Sequence, residues 1–192
     1  MRRIVVAACV VAACGILTVA CKKSENGAVG ETGRREPAVE RPHEWTATDR
    51  GAGPLRIGMT VADLETALGG RLAEASTSGE CRFFHPTQAP AGLYLMLVAG
   101  QLARIDVNAP TVPTAAGARV GDDEARLEAL YRDRLAATPH KYVVGGRYLT
   151  VGPVPPDDRH PGYRIVFETD GRRVTSYRVG RRPEVEWVER CS

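Results

Sequence analysis

The chain has 192 residues, and its 26 Lys and Arg residues exceed its 23 Asp and Glu residues by a formal charge of +3. Acidic and basic residues nearly balance and are interleaved along the chain, so the chain lacks the strong positive potential that nucleic acid binding requires. The length suits one domain of common size rather than several.

The N-terminal 24 residues have the order of an export signal. Arg2 and Arg3 precede an apolar run over residues 4–19, and the small residue Ala20 lies just before Cys21. A basic start, an apolar stretch and a small residue at the cleavage position are typical of a secretory signal peptide. Residues 1–20 are therefore predicted to be removed, which lowers the net charge of the mature chain to +1.

The segment Thr18-Val19-Ala20-Cys21 also resembles a bacterial lipobox. The resemblance implies a lipoprotein that is acylated on the Cys21 sulfur. Because Lys22 rather than Asp follows the cysteine, it also implies anchoring on the periplasmic face of the outer membrane. Three alternatives stay open: acylation at Cys14, which would leave the apolar residues 15–20 on the mature chain, an ordinary secretory signal, or an uncleaved anchor.

Residues 21–50 are predicted to be a flexible tether. As far as His43 they are rich in charged residues, Gly and Pro and contain no Phe, Tyr or Trp, so they bury too little apolar area to fold. A flexible chain of this length spans about 25 to 30 Å on average. The tether would therefore hold a folded domain, residues 51–192, clear of the membrane.

The predicted domain contains an internal duplication. Residues 56–75 align with residues 119–138 at eight identical positions in twenty, where chance supplies about one or two. We therefore expect two degenerate repeats, over about residues 53–117 and 118–192.

Each repeat opens with the signals of a short helix. In the first repeat Thr60 is a predicted N-cap with Asp63 three residues later, and Gly69 ends the helix. In the second repeat Asp122 or Asp123 is the predicted cap. Apolar residues at helical spacing follow each cap and predict a buried stripe, formed by Val61, Leu64 and Leu68 in the first helix and by Leu127, Leu130 and Tyr131 in the second.

Strand-like segments follow each helix. Residues 92–98 and 162–168 are apolar, and each is followed by a glycine turn. Asp170-Gly171 predicts a two-residue hairpin, and the apolar residues between Val185 and Cys191 predict a last strand. The predicted fold class is α+β, with each repeat a short helix followed by antiparallel strands and with the helices on one face of the sheet.

The motif Arg56-Ile57-Gly58-Met59-Thr60, followed by Leu64 and by Leu68-Gly69, resembles the opening of the SmpA/OmlA (BamE-like) lipoprotein domain. The tandem arrangement is also similar to that of the β-lactamase inhibitory protein. The second repeat departs from the motif at Asp122-Asp123. The resemblance implies this type of fold and a non-catalytic lipoprotein that binds another envelope protein.

Cys81 and Cys191 remain in the mature chain besides the acylated cysteine. Because the periplasm is oxidising, they are predicted to form a disulfide, the alternative being two separately buried thiols.

The histidines have no metal-ligand spacing, and residues 157–160, Asp-Asp-Arg-His between prolines, predict a solvated loop. Nucleophile-elbow, phosphate-loop and S-x-x-K signatures are missing, so we predict neither an enzyme nor a metal or cofactor site.

The expected binding surface is the sheet face away from the helices. Alternation along residues 93–98 places Tyr94 and Met96 on that face, and Tyr, Met and Arg are typical of protein interfaces. Burial of these two side chains between the repeats is the alternative.

For the whole chain we predict a binding or assembly module. The alternatives are a periplasmic inhibitor of an envelope hydrolase and an enzyme with an unrecognised site. The candidate contact residues are Tyr94, Met96, Arg104, Arg164, Val166 and Tyr177.

Overall fold

The computed structural model describes residues 45–152 and 162–191 and has an α+β fold. Two α-helices accompany a small sheet of three short strands and a larger sheet of eight strands. The predicted signal, most of the predicted tether and the segment 153–161, where a solvated loop was predicted around Asp157 and Asp158, lie outside the described residues. Within the described ranges, each helix is too short or too polar to cross a membrane.

The folded domain begins before residue 51. Strands β1 (Ala47–Thr48), β2 (Gly51–Ala52) and β3 (Leu55–Arg56) form the small antiparallel sheet. Ala47 is fully buried and belongs to the main core. Residues 45–50, which the sequence assigned to the tether, are thus part of the domain, because a short buried strand leaves little trace in composition.

The larger sheet is built from two sets of four strands, and each set follows a helix. All neighbouring strands are antiparallel, in the order β4-β5-β6-β7-β11-β10-β9-β8, so that β7 and β11 meet at the centre. The elements of the first set are α1 (Val61–Leu68), β4 (Glu74–Ser78), β5 (Cys81–Phe84), β6 (Leu93–Val98) and β7 (Gln101–Val107). Those of the second are α2 (Glu124–Tyr131), β8 (Leu135–Pro139), β9 (Arg147–Val151), β10 (Tyr163–Thr169) and β11 (Val174–Arg181).

Both helix starts were predicted from side-chain capping. The Thr60 hydroxyl accepts from the backbone N–H of Asp63 (3.3 Å), and the Asp63 carboxylate accepts from the backbone N–H of Thr60 (2.9 Å), which completes a capping box. The backbone N–H of Thr60 and then its hydroxyl, which both donate to the Asp63 carboxylate, hold the pKa of Asp63 below its ordinary value. Asp123, rather than Asp122, caps α2 by accepting from the backbone N–H of Arg126 (2.8 Å).

The main core lies between the helices and one face of the large sheet. Leu64 of α1 and Leu127 of α2 are fully buried against this face. Leu93, Leu95 and Leu97 point into the same core, as the alternation along the strand predicts. The even-numbered side chains of that strand therefore lie on the opposite face.

Two local predictions were wrong. The connection between β10 and β11 spans four residues, 170–173, rather than two. The Asp170 carboxylate accepts from the backbone N–H groups of Arg172 and Arg173 (2.9 and 2.8 Å), so β11 begins only at Val174. The C-terminal residues form no last strand either: a 3₁₀ turn over Glu184–Glu186 leads into a segment without strand pairing.

Candidate functional site

The C-terminal segment crosses the sheet face that lies away from the helices. We call residues 182–191 the strap and this side of the sheet the strap face. Two small apolar clusters join the strap to the sheet: in one, Cys191 packs with Met96 and Phe83, and in the other, Val185 packs with Val166. The surface that the sequence proposed for binding is therefore partly occupied by the chain itself.

Two buried arginines of the central strands hold the strap through its backbone carbonyls. Arg104 of β7 donates to the carbonyl oxygens of Glu184 (3.3 Å) and Trp187 (2.7 Å). Arg178 of β11 donates from Nε to the carbonyl oxygen of Val185 (2.6 Å). These hydrogen bonds satisfy strap carbonyls that strand pairing would otherwise satisfy.

Both arginines also have carboxylate partners. Arg104 makes a bidentate ion pair with Asp106 through Nε (2.9 Å) and Nη2 (2.7 Å), and Arg178 pairs with Glu168. Burial lowers the pKa of Arg178, and the neighbouring Arg104 lowers it further. Pairing is what makes two buried cations on adjacent strands tolerable, because an unpaired buried charge is strongly destabilising.

A disulfide fixes the end of the strap to the sheet. Cys81 of β5 and Cys191 are bonded, with their Cα atoms 5.3 Å apart. The Arg190 guanidinium lies 4.8 Å from the ring centroid of Phe83 and 5.5 Å from that of Tyr94. The predicted pairing is present, but Cys191 reaches Cys81 across the strap face rather than from a neighbouring strand.

The candidate contact residues do not form an exposed surface. Tyr94 is half-buried beneath Arg190, and Tyr177 lies in the main core, where its hydroxyl donates to the carbonyl oxygen of Val112 (2.7 Å) and burial raises its pKa. The expectation that this set faces a partner directly is therefore corrected, because sequence alternation identifies the face but not what covers it. The four that are buried on the strap side are Met96, Arg104, Arg164 and Val166.

The exposed large apolar side chains of the described chain lie elsewhere. The turn between β8 and β9 presents Tyr142, Val143 and Val144, and the strap presents Trp187. Val144 is completely exposed. We call residues 141–144 the hairpin tip. Sequence reasoning missed it, although three apolar residues before Gly145-Gly146 interrupt an otherwise polar turn.

Glu189 connects the hairpin tip to the strap. Its carboxylate accepts from the Lys141 ammonium (3.0 Å) and from the Tyr142 hydroxyl. The hydrogen bond from Tyr142 and then that from Lys141 lower the pKa of Glu189 to about 2. Hydrogen bonding to Tyr142 and then to Glu189 raises the pKa of Lys141. The tip is therefore held by the strap rather than projecting independently.

We expect this contact to weaken in acid. The lowered pKa of Glu189 means that its stabilising effect is complete above the ordinary value of 4.5 and is lost as the pH falls through about 2. A carbon-13 NMR titration of the Glu189 carboxyl checks this value, and Tyr142→Phe should move the pKa towards 4.5. A wild-type midpoint already near 4.5 would contradict the contact.

The described residues do not bring together a set of metal ligands. They contain no group of three or more His, Cys, Asp or Glu side chains placed to hold a metal ion. His85 stacks on Tyr94 and His140 on Tyr148, with ring centroids 4.7 and 4.4 Å apart. Both histidines thus pack against tyrosine rings.

Comparison with known proteins gives one structural likeness to report. No family model and no curated protein matches the sequence. The crystal structure of the uncharacterized protein YfeY from Escherichia coli aligns with 71% of this chain and 99% of that one, with 15% identity and a TM-score of 0.48.

Proposed function

We propose that this protein is an outer-membrane lipoprotein whose periplasmic domain binds another envelope protein. The lipobox-like segment ending at Cys21 and the charged tether support anchoring. The observation that carries the binding function is the hairpin tip, where three neighbouring large side chains are exposed. Exposed apolar residues that are clustered, rather than scattered singly, mark interaction sites.

The hairpin tip is suited to docking because it is positioned before a partner arrives. Tyr142 and Lys141 are fixed by Glu189, and the disulfide at Cys191 fixes the strap that carries Glu189. Side chains that are already ordered lose less conformational entropy on binding. Val143 and Val144 then supply apolar area without a polar group to desolvate.

Co-purification from cross-linked cells tests this function. Val143→Ser with Val144→Ser should remove the bound envelope protein while leaving Tyr142 and its contact with Glu189 intact. The matched control is Ala115→Ser with Ala116→Ser, a change of two exposed residues in another loop, which should keep the complex. Equal recovery of the partner with both variants would contradict the proposed surface, and a hydrolase as the partner would favour the inhibitor alternative.

The lipid anchor has its own test. We expect metabolic labelling with a fatty-acid analogue to mark the wild-type chain and to be lost in Cys21→Ser, because the acylated sulfur is then absent. Cys14→Ser should keep the label. Label that persists in Cys21→Ser and disappears in Cys14→Ser would move the anchor to the earlier cysteine.

We also propose that the domain arose by tandem duplication. The two helices lie at a constant offset of 63 residues, as in the sequence alignment. Their caps also form similar bridges: Thr60 pairs with Gln101, the first residue of β7, and Asp123 pairs with Arg173, the residue just before β11. The sheet order, in which the two sets meet through their last strands, supports the same interpretation.

Equivalent glycines allow the duplication to be tested. Gly58 and Gly121 have φ angles of 97° and 94°, which L-residues rarely adopt. If the two positions are equivalent, Gly58→Ala and Gly121→Ala should each lower the free energy of unfolding by about 1 to 3 kcal/mol, as measured by urea denaturation. A loss at one position with no effect at the other would contradict their equivalence.

A further inference from the structure

A cavity opens on the strap face of the second set of strands. It measures about 450 Å³, within the size range of small-molecule sites, and lies between strands β8 to β11 and the strap. Val166, Val188 and the ring of Tyr148 contribute apolar wall, while Arg164 contributes a buried cation. This cavity is separate from the hairpin tip proposed above for protein binding.

Arg164 differs from the other buried arginines of the strap face. It is 5% exposed, and its Nη1 donates to the carbonyl oxygen of Tyr163 (2.9 Å). Arg104 and Arg178 each have a buried or half-buried carboxylate partner, whereas residues 45–152 and 162–191 supply no ion pair to Arg164. A guanidinium has five N–H donors, so most of its donor capacity is unused by the described chain.

Two glycines fix the position of the Arg164 guanidinium. A Cβ atom added to Gly152 would lie 2.7 Å from Arg164 Cδ, and one added to Gly162 would lie 2.5 Å from Nη1. The side chain therefore occupies a slot that any larger residue at either position would close. A cation held in this way is already oriented for a ligand.

Another polar group lines the same cavity further along the sheet, where Tyr148 pairs with Glu168 of β10. The Tyr148 hydroxyl is buried and has no hydrogen-bond partner among the described residues. Its ring is held by His140, at 4.4 Å between centroids, and by the Arg178 guanidinium 5.6 Å from the ring centroid. Buried polar groups are nearly always paired in folded proteins, so a buried guanidinium that lines a cavity and has no ion pair among the described residues points to an anionic ligand.

We infer that this cavity binds a small aliphatic carboxylate. A carboxylate offers two oxygens to a guanidinium in a bidentate arrangement, and Arg164 supplies a buried guanidinium in this cavity. The apolar walls formed by Val166 and Val188 fit an alkyl group attached to the carboxylate. The nearby glutamate Glu186 pairs with Arg182 (2.7 Å), which limits its repulsion of an anion.

Methyl NMR with hexanoate tests this inference on the full mature chain carrying Cys21→Ser. The Val166 and Val188 methyl signals should shift and saturate with hexanoate, and the neutral isostere hexanamide should bind at least about tenfold more weakly, since a hydrogen bond between charged groups contributes about 1.5 to 3 kcal/mol. Arg164→Gln should weaken hexanoate binding by a similar factor.

Two further variants distinguish loss of the site from loss of the fold. Ala136→Phe introduces a ring into the cavity from the half-buried edge strand β8 and should abolish the shifts without lowering the melting temperature. Arg71→Gln, at an arginine whose side chain is 95% exposed, should leave binding unchanged. An absence of saturable shifts, equal binding of hexanoate and hexanamide, or unchanged binding in both Arg164→Gln and Ala136→Phe would overturn the inference.

Discussion

Replacing Cys191 with serine should lower the free energy of unfolding by about 4 kcal/mol. The bond joins residues 110 positions apart, and closing a loop of about 100 residues lowers the entropy of the unfolded chain by an amount equivalent to roughly 4.7 kcal/mol at room temperature. The loss should be a large part of the total, since whole domains are stable by about 5 to 15 kcal/mol.

Two observations separate this effect from a local packing defect. Cys81→Ser should cost about as much as Cys191→Ser, and the double variant should cost no more than either single variant, because each change removes the same covalent bond. Adding reductant to the wild-type protein should reproduce the loss in urea denaturation. A decrease below about 1 kcal/mol in the single variants would show that the disulfide does not contribute in this way.

Arg104→Met should destabilise the domain by about 3 to 5 kcal/mol. The change leaves the Asp106 carboxylate buried without its cationic partner. An unpaired buried charge is strongly destabilising. It also removes the donors to the carbonyl oxygens of Glu184 and Trp187, so the strap loses part of its attachment. Thermal and urea denaturation measure the loss.

Two comparisons isolate the buried charge. Adding Asp106→Leu to Arg104→Met should recover much of the stability, because the carboxylate is then gone and apolar groups can replace a buried ion pair at little cost. Arg126→Met breaks the exposed pair with Asp122 (3.0 Å) and should cost no more than about 1 kcal/mol. A double variant as unstable as Arg104→Met alone would contradict the role assigned to Asp106.

The local elements were predictable because their signals are local. The caps Thr60 and Asp123 satisfy helix N–H groups three residues away, and the alternation around Leu95 and Met96 sorts neighbouring side chains onto opposite faces of one strand. Such interactions depend on a few consecutive residues. These local signals predict the α+β class and the side chains that pack under the helices, although they do not specify the strand order.

The strap could not be predicted in the same way, because its partners are distant in sequence. Arg104 contacts the carbonyl oxygen of Trp187 across 83 positions, and nothing in the spacing of Val185 and Trp187 distinguishes a strand from a segment crossing a sheet. The same long-range packing buried Met96 and Val166, which sequence alternation had left available to a partner.

The hairpin tip was overlooked for the opposite reason. Its residues are consecutive, but a short apolar run between His140 and Gly145 has no regular period that indicates a helix or strand. Only the structure shows that Val144 is fully exposed while Tyr142 is held by Glu189. An apolar run that ends in two glycines is the local signal that would have pointed to an exposed turn.

Site-specific photo-crosslinking in living cells tests the proposed protein-binding role most directly. With p-benzoylphenylalanine in place of Val144, irradiation should give a discrete product of higher mass whose second component is an envelope protein. The same residue in place of Glu128, exposed on α2, should give no such product. The absence of any product at position 144, or the same product from both positions, would contradict binding through the hairpin tip.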